Sequence, residues 1–97
     1  MNSEYQIRGR RSSNGIWEVL YQPQCSEVKH PTRFLFWKSV VTEYIQPRRE
    51  EIAVIANQHW QQAQKDGKYQ DVVIIHSWNP ELDRAITAMI WKNGRWM

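Results

Sequence analysis

The chain has 97 residues, of which 41% are hydrophobic and 24% are charged, and its net charge is +3 with a pI near 9.2. This length and composition are typical of one globular domain, which would span residues 1–97. The small excess of 13 Lys and Arg over 10 Asp and Glu does not indicate a dedicated nucleic-acid binder, and a single cysteine excludes an intramolecular disulfide. Because no apolar run reaches 18 residues and the N-terminus lacks a secretory signal, we expect a cytoplasmic protein with no membrane partner.

The N-terminal part of the chain is predicted to form a β-hairpin from residues 4–12 and 16–22. Asn14 and Gly15 lie between the two strands, and Asn-Gly is the favoured pair for a type I′ turn, in which both residues need a positive φ. With these two residues as the loop, the register places Arg11 opposite Glu18, Arg10 opposite Val19, and Arg8 opposite Tyr21. One face of the hairpin then combines cationic and aromatic side chains, from Arg8, Arg10, Ser12, Trp17, Val19 and Tyr21.

The middle of the chain is predicted as a loop followed by a strand. Pro23 and Pro31 bracket residues 23–32, which favours a loop. Residues 33–45 are rich in aromatic and β-branched residues, which favours a strand, and apolar residues at both parities indicate burial on both faces. The second half of this segment is also compatible with the start of a helix.

The clearest helical signal spans residues 47–66. Pro47 suits a first helical position, and Glu50 and Glu51 fall in the first turn, where the helix dipole favours negative charge. Lys65 falls in the last turn, and Gly67 supplies the stop. One stripe recurs at steps of three and four residues, through Ile52, Ile55, Ala56, His59, Trp60 and Ala63. We therefore predict one amphipathic helix over residues 47–66.

The C-terminal third contains one clear strand and one ambiguous segment. Residues 71–78 include the continuous apolar run from Val72 to Ile75, which is typical of a central strand. In residues 80–92, Asn79 can cap a helix that begins at Pro80, and apolar residues follow at helical spacing. Residues 85–91 would also serve as a strand that returns from residues 71–78. The capping residues favour the helix.

Together these elements predict an α+β fold. A small, mainly antiparallel sheet of three to five strands carries the 47–66 helix on one face, with a second helix at the C-terminus if residues 80–92 are helical. Six tryptophans, at positions 17, 37, 60, 78, 91 and 96, are spread over these elements. We expect the core to be built largely from their indole groups, because each buries a large area.

The leading hypothesis for function is a non-catalytic binding module that acts through a protein partner or through self-association. A domain of this size is small for enclosing all of its aromatic residues, and Trp91 and Trp96 near the C-terminus are expected to stay exposed. Trp and Arg are enriched at interface hot spots, and contiguous exposed aromatic residues mark interfaces. The sequence therefore predicts Trp91, Arg95 and Trp96 as partner-binding residues.

A second hypothesis is binding of single-stranded DNA or RNA on the predicted hairpin face. Aromatic rings stack on unpaired bases while neighbouring guanidinium groups hold phosphates. The residues concerned are Arg8, Arg10, Arg11, Trp17 and Tyr21. The plainer interpretation is that the arginine stems lie across aromatic rings at a sheet edge, and it is favoured because no single-strand-binding motif accompanies them.

A third hypothesis is a small enzyme or a ligand pocket centred on His76, with Cys25 as the nucleophile. The sequence contains no nucleophile elbow, no phosphate-binding glycine loop and no paired-carboxylate motif, so a protein without catalysis is the simpler expectation. Cys25 and the three histidines lack the spacing of zinc ligands. We therefore expect neither a metal nor a cofactor.

Overall fold

The computed structural model describes residues 2–34, 37–77 and 87–97. These ranges contain one helix and seven strands, in the order β1 (Tyr5–Arg11), β2 (Trp17–Tyr21), β3 (Ser26–Phe34), β4 (Trp37–Ile45), α1 (Arg49–Asp66), β5 (Tyr69–Ser77), β6 (Thr87–Lys92) and β7 (Arg95–Trp96). The strands form a five-stranded antiparallel sheet in the order β2-β1-β5-β6-β7 and a separate two-stranded sheet of β3 and β4. The predicted α+β class is confirmed.

The core lies between α1 and one face of the five-stranded sheet. Ile74 of β5 is fully buried at its centre, opposite Ile7 on one side and Trp91 on the other. The helix contributes its buried stripe of Ile52, Ala56 and Ala63. Burying each large aliphatic side chain stabilises the fold by about 1.5–3 kcal/mol, so this layer holds the sheet and the helix together.

The tryptophans contribute less to this core than the sequence suggests. Of the indole side chains that the structure describes, Trp91 is buried and Trp60 packs partly against the core. Trp17 and Trp96 are exposed. The expectation of a core built largely from indole groups is therefore wrong for the described residues, because aliphatic residues of β1, β5 and α1 fill its centre.

The long helix confirms the sequence prediction to within two residues. It begins at Arg49 rather than at Pro47, because Arg48 takes an extended conformation and acts as the N-cap residue. The backbone carbonyl of Arg48 accepts the first N–H groups, from Glu51 at 3.1 Å and from Ile52 at 3.2 Å. The helix ends at Gly67, whose left-handed φ of 69° lets its N–H donate to the carbonyl of Ala63.

The first hairpin forms, but its predicted register is wrong. The observed pairs are Arg10 with Trp17, Gly9 with Glu18, Arg8 with Val19, and, beyond a bulge, Ile7 with Tyr21. The cause is a wider turn, closed by a bond from the N–H of Arg11 to the carbonyl of Ile16. Gly15 takes a positive φ, whereas Asn14 instead accepts the Ile16 N–H with its side-chain oxygen.

The expectation of a C-terminal helix is wrong for residues 87–92, and residues 78–86 lie outside the described ranges. Residues 87–92 form β6, which pairs with β5 from Val73 opposite Lys92 to Ser77 opposite Thr87. Asn93 and Gly94, with φ of 50° and 92°, then form the two-residue turn into β7. The Asn93 side chain fixes this turn by accepting the Val72 N–H at 2.8 Å.

The prediction of a loop over residues 23–32 is wrong from Ser26 onward, whereas residues 23–25 lie outside the strands. From Ser26 onward the chain forms β3, which pairs with β4 from Ser26 opposite Ile45 to Phe34 opposite Trp37. We call the β3–β4 pair, Ser26–Phe34 with Trp37–Ile45, the arm. Pro31 lies inside β3, and a proline is tolerated there because β3 has a sheet neighbour on one side only.

The arm gives the molecule an elongated shape. The principal extents are 62 × 26 × 21 Å and the radius of gyration is 17.3 Å. A compact chain of this length would have a radius of gyration of about 12.5 Å. Among the described elements, β3 and β4 pack extensively only against each other. The arm is therefore an extension from the α1-covered sheet and does not form a layer upon it.

Candidate functional site

The arm carries exposed apolar side chains. Four apolar residues of β4 are exposed there: Val40, Val41, Tyr44 and Ile45. Val40 and Val41 are adjacent in the strand and so project from opposite faces. The prediction of burial on both faces is therefore wrong for residues 40–45, the part of the segment whose side chains the structure describes.

The neighbouring strand β3 is far more polar. Glu27, Lys29 and His30 are all exposed along it. His30 Nε2 lies 2.8 Å from Glu43 Oε2 on β4, which links the two strands by a polar contact. The apolar surface of the arm thus belongs to β4, and β3 carries charge.

Only its base connects the arm to the rest of the fold by hydrogen bonds among the described residues. Gln46, directly after β4, accepts the Glu4 N–H with its side-chain oxygen at 3.0 Å. Gln24, just before β3, bridges to Asn2. A two-stranded ribbon is marginally stable by itself in water. The arm therefore has both the apolar surface and the energetic need for further packing.

A second apolar surface is a groove between the first half of α1 and the β6–β7 hairpin. It has a volume of about 270 Å³ and is lined by Ala53, Val54, Asn57, Trp91, Gly94 and Trp96. Trp96 is 50% exposed, as expected, whereas the expectation that Trp91 is exposed is wrong, since only 2% of it is accessible. Trp91 faces the helix because it pairs with Ile74. Arg95 is exposed opposite Lys92 and projects from the other face of the hairpin than Trp96.

The predicted cationic and aromatic face exists on β1 and β2. Arg10 lies opposite Trp17, with its guanidinium carbon 6.0 Å from the ring centroid, and Arg8 lies opposite Val19. Tyr21 is exposed beyond the bulge, opposite Ile7.

The arginines of this face already have partners within the chain. Arg8 Nε donates to the side-chain oxygen of Gln6 at 2.9 Å. Arg10 Nε donates to the Gly15 carbonyl at 3.3 Å, and its Nη1 lies 3.9 Å from Asp71. Arg11 pairs with Glu18, which also accepts the Tyr69 hydroxyl. These contacts favour the plainer, structural interpretation of the arginines.

His76 and Cys25 do not meet in the described structure. His76 is buried, with Nε2 3.0 Å from Glu4 Oε2 and its ring stacked on Tyr5 at a centroid distance of 4.8 Å. Cys25 Sγ instead donates weakly to the carbonyl of Asn2. The predicted pairing of thiol and imidazole therefore has no geometric support.

Tyr5 links His76 to the start of α1. The Arg49 guanidinium donates to the Tyr5 hydroxyl at 3.3 Å, and this hydrogen bond raises the pKa of Arg49 above its ordinary value. Glu4, Tyr5, His76 and Arg49 thus form one continuous polar cluster that joins β1, β5 and α1. Its contacts are those of a structural cluster at the edge of the core.

Residues 2–34, 37–77 and 87–97 hold no group of three or more His, Cys, Asp or Glu side chains that could bind a metal ion. Within the same ranges, no helix combines the length and the apolar character that a bilayer crossing requires.

The arm is the surface that the sequence reasoning missed. Its signal was present, since apolar residues at both parities in residues 37–45 mark a strand with two apolar faces. The same pattern also fits a strand that is buried within a domain. Comparisons with protein-family models, with curated proteins and with solved structures find no match to this chain, so its sites are judged on their own geometry.

Proposed function

We propose that this chain is a non-catalytic binding module that acts through protein–protein association, and that the arm is the surface it uses. The observation that carries the proposal is the exposure of Val40, Val41, Tyr44 and Ile45 on a ribbon that packs extensively on no other described element. Val40 and Tyr44 lie on one face of β4, and Val41 and Ile45 lie on the other, so a partner can meet exposed apolar side chains on either face of the ribbon.

The energetics of the ribbon support the same proposal. Three or more strands, or packing against another element, are needed before such a ribbon is independently stable. A protein that covers the apolar residues of β4 supplies that packing. Binding and ordering of the arm are then one process, which costs conformational entropy and favours reversible association.

The test is site-specific photo-cross-linking, with a photoactivatable amino acid in place of either Val41 or Val19. Val19 is the matched control, because it is 52% exposed against 53% for Val41 and also lies on a strand at the edge of a sheet. Both proteins are irradiated in purified form and in extracts of cells that express the chain. We expect discrete protein adducts from position 41 and none from position 19.

Two outcomes would contradict the proposal. The first is equal cross-linking at both positions, or none at either, since the arm would then be no more engaged than an ordinary exposed valine. The second is an adduct that disappears after nuclease treatment, because the partner would then be a nucleic acid. Adducts that survive nuclease and depend on position 41 support protein association.

A further inference from the structure

The sheet edges of this molecule differ sharply in how open they are to further strand pairing. The five-stranded sheet ends at β2 and β7, and the arm has the outer edges of β3 and β4. An edge strand presents unpaired N–H and C=O groups, so natural proteins protect it with short length, proline or charge. Three of these four edges show such protection.

The three protected edges use different devices. β7 has two residues and β2 has five, so neither offers a long ladder. β3 is nine residues long, but Pro31, near its centre, lacks a backbone N–H. Two charged residues, Lys29 and Arg33, lie two positions before and two positions after this proline. Each of these edges would pair poorly with another strand.

β4 is the exception. It has nine residues with neither proline nor glycine, and its centre reads Val40-Val41-Thr42. It contains one lysine and one glutamate, so its net charge is zero. Among the residues that the structure describes, β3 alone pairs with it. A long, neutral and β-branched edge of this kind is a template for another strand.

We propose that β4 pairs antiparallel with β4 of a second copy of this chain, centred on Val41, to form a four-stranded sheet in the order β3-β4-β4-β3. This inference rests on the proposed function and names its partner. A symmetric antiparallel pair requires one residue to lie opposite its own copy. Val41 is the midpoint of Trp37–Ile45, so this register pairs all nine residues.

The sequence of β4 is complementary to itself in this register. Val41 meets Val41 of the second copy, and Val40 meets Thr42. Further out, the pairs are Ser39 with Glu43, Lys38 with Tyr44, and Trp37 with Ile45. No like charges are opposite each other, and β-branched residues meet at the centre, where cross-strand pairs stabilise a sheet.

The proposed pairing also resolves the weakness of the isolated arm. A four-stranded sheet exceeds the minimum for a stable sheet, and pairing satisfies the outer backbone groups of β4 in both copies. A single strand pair buries less area than the roughly 1,600 Å² of a standard interface. The pairing therefore belongs to the small interfaces that are typical of reversible association.

The pairing is tested by placing charges at Val41 and measuring the oligomeric state of each variant by sedimentation velocity. Val41→Lys and Val41→Glu each replace a favourable central pair by two like charges across the two-fold axis, so each variant weakens the dimer, by about fivefold for a change of 1 kcal/mol. An equimolar mixture of the two variants brings opposite charges together and restores a dimer. Val19→Lys is the control, because it adds the same charge at an equally exposed valine, and it dimerises like the wild type.

Several results would overturn the inference. One is a wild-type chain that sediments as an 11.7 kDa monomer up to high micromolar concentration. Another is a Val41→Lys protein that dimerises as well as Val19→Lys, and a third is a mixture that stays monomeric. Far-UV circular dichroism establishes that each variant is folded. If Val41→Lys is unfolded, Val41→Glu takes its place in the comparison with Val19→Lys.

The same data distinguish this inference from the proposed function. If the wild type stays monomeric while position 41 still cross-links to a different protein, the arm binds protein but the second copy is not its partner. If position 41 forms no protein adduct at all, both fail together.

Discussion

The two tryptophans of the β6–β7 hairpin give the sharpest prediction about stability. Trp91 is 2% exposed and faces Ile74 in the core, so Trp91→Ala removes the whole transfer energy of the indole and leaves a cavity. Such substitutions cost about 3–5 kcal/mol. The total free energy of unfolding of a domain this size is about 5–15 kcal/mol, so Trp91→Ala leaves a marginally stable protein.

Trp96 pairs with Trp91 across the turn but is 50% exposed. Trp96→Ala therefore loses about half of the 1.5–3 kcal/mol that a fully buried large side chain contributes, or about 1 kcal/mol. Trp96→Ala is thus the matched control for Trp91→Ala, with the same chemical change in the same hairpin.

Urea unfolding followed by circular dichroism measures both costs. It should be performed at a protein concentration where the chain is monomeric, because dimer formation adds to the apparent stability. If the unfolding free energy falls with urea concentration at the same slope in the wild type and in both variants, their denatured states are comparable. If Trp96→Ala were as costly as Trp91→Ala, the placement of Trp91 in the core and Trp96 at the surface would be refuted.

Three further substitutions test other parts of the fold. Gly9→Ala places a methyl group 2.8 Å from Leu20 Cδ1 and from Tyr69 Cδ1, so we expect a loss of about 1–3 kcal/mol in urea unfolding. Together with Leu20→Ala it should cost less than the sum of the two single substitutions, because the clash with Leu20 is relieved; no loss from Gly9→Ala would contradict this packing. Gly94→Ala forces a side chain to adopt a φ of 92° and should lower the unfolding free energy by about 1–2 kcal/mol, whereas an unchanged value would argue against the two-residue turn. The Lys68 N–H holds the pKa of the Asp66 carboxylate below its ordinary value, so the stability it contributes is present above that ordinary value and is lost as pH falls through the lowered one. Asp66→Asn should therefore flatten the acid limb of thermal stability against pH, and an identical limb in both proteins would contradict the assignment.

The helix was predictable because its signals are local. Glu50 and Glu51 in the first turn, Lys65 in the last turn and Gly67 at the stop all lie within the segment that they define. Only its start moved, from Pro47 to Arg49, because the extended Arg48 supplies the first acceptor carbonyl. No residue far away in the sequence was needed to define this element.

The hairpins were predicted less well than the helix: the first forms as expected but in another register, and the β6–β7 hairpin was not predicted. The same Asn-Gly pair occurs at residues 14–15 and 93–94, but both residues take a positive φ only in the second pair. At Asn93 the side chain is bonded to the backbone of Val72, a strand away. At Gly9 the side chains of Leu20 and Tyr69 approach so closely that a Cβ would lie 2.8 Å from each. Neither contact is visible from local spacing.

The arm shows that apolar residues at both odd and even positions of a strand do not establish that the strand is buried within its own domain. Val40 and Val41 were assigned to a strand buried on both faces, and the structure leaves both exposed. The same pattern suits a central strand of a domain and a strand that is covered only in an assembly. Pro31 favoured the wrong prediction of a loop where β3 forms, because a proline that would interrupt a central strand is acceptable in an edge strand.

The roles of Arg95 and Trp96 in partner binding stay predictions.

Disulfide trapping at the centre of β4 tests most directly whether two copies pair there. Directly opposite residues of an antiparallel pair have Cα atoms about 4.5–5.5 Å apart, within the range that a disulfide spans. In a Cys25→Ser background, Val41→Cys should therefore form a covalent dimer rapidly under mild oxidation, and Val19→Cys should not. Equal rates of dimer formation for the two variants would contradict pairing of β4 with its own copy.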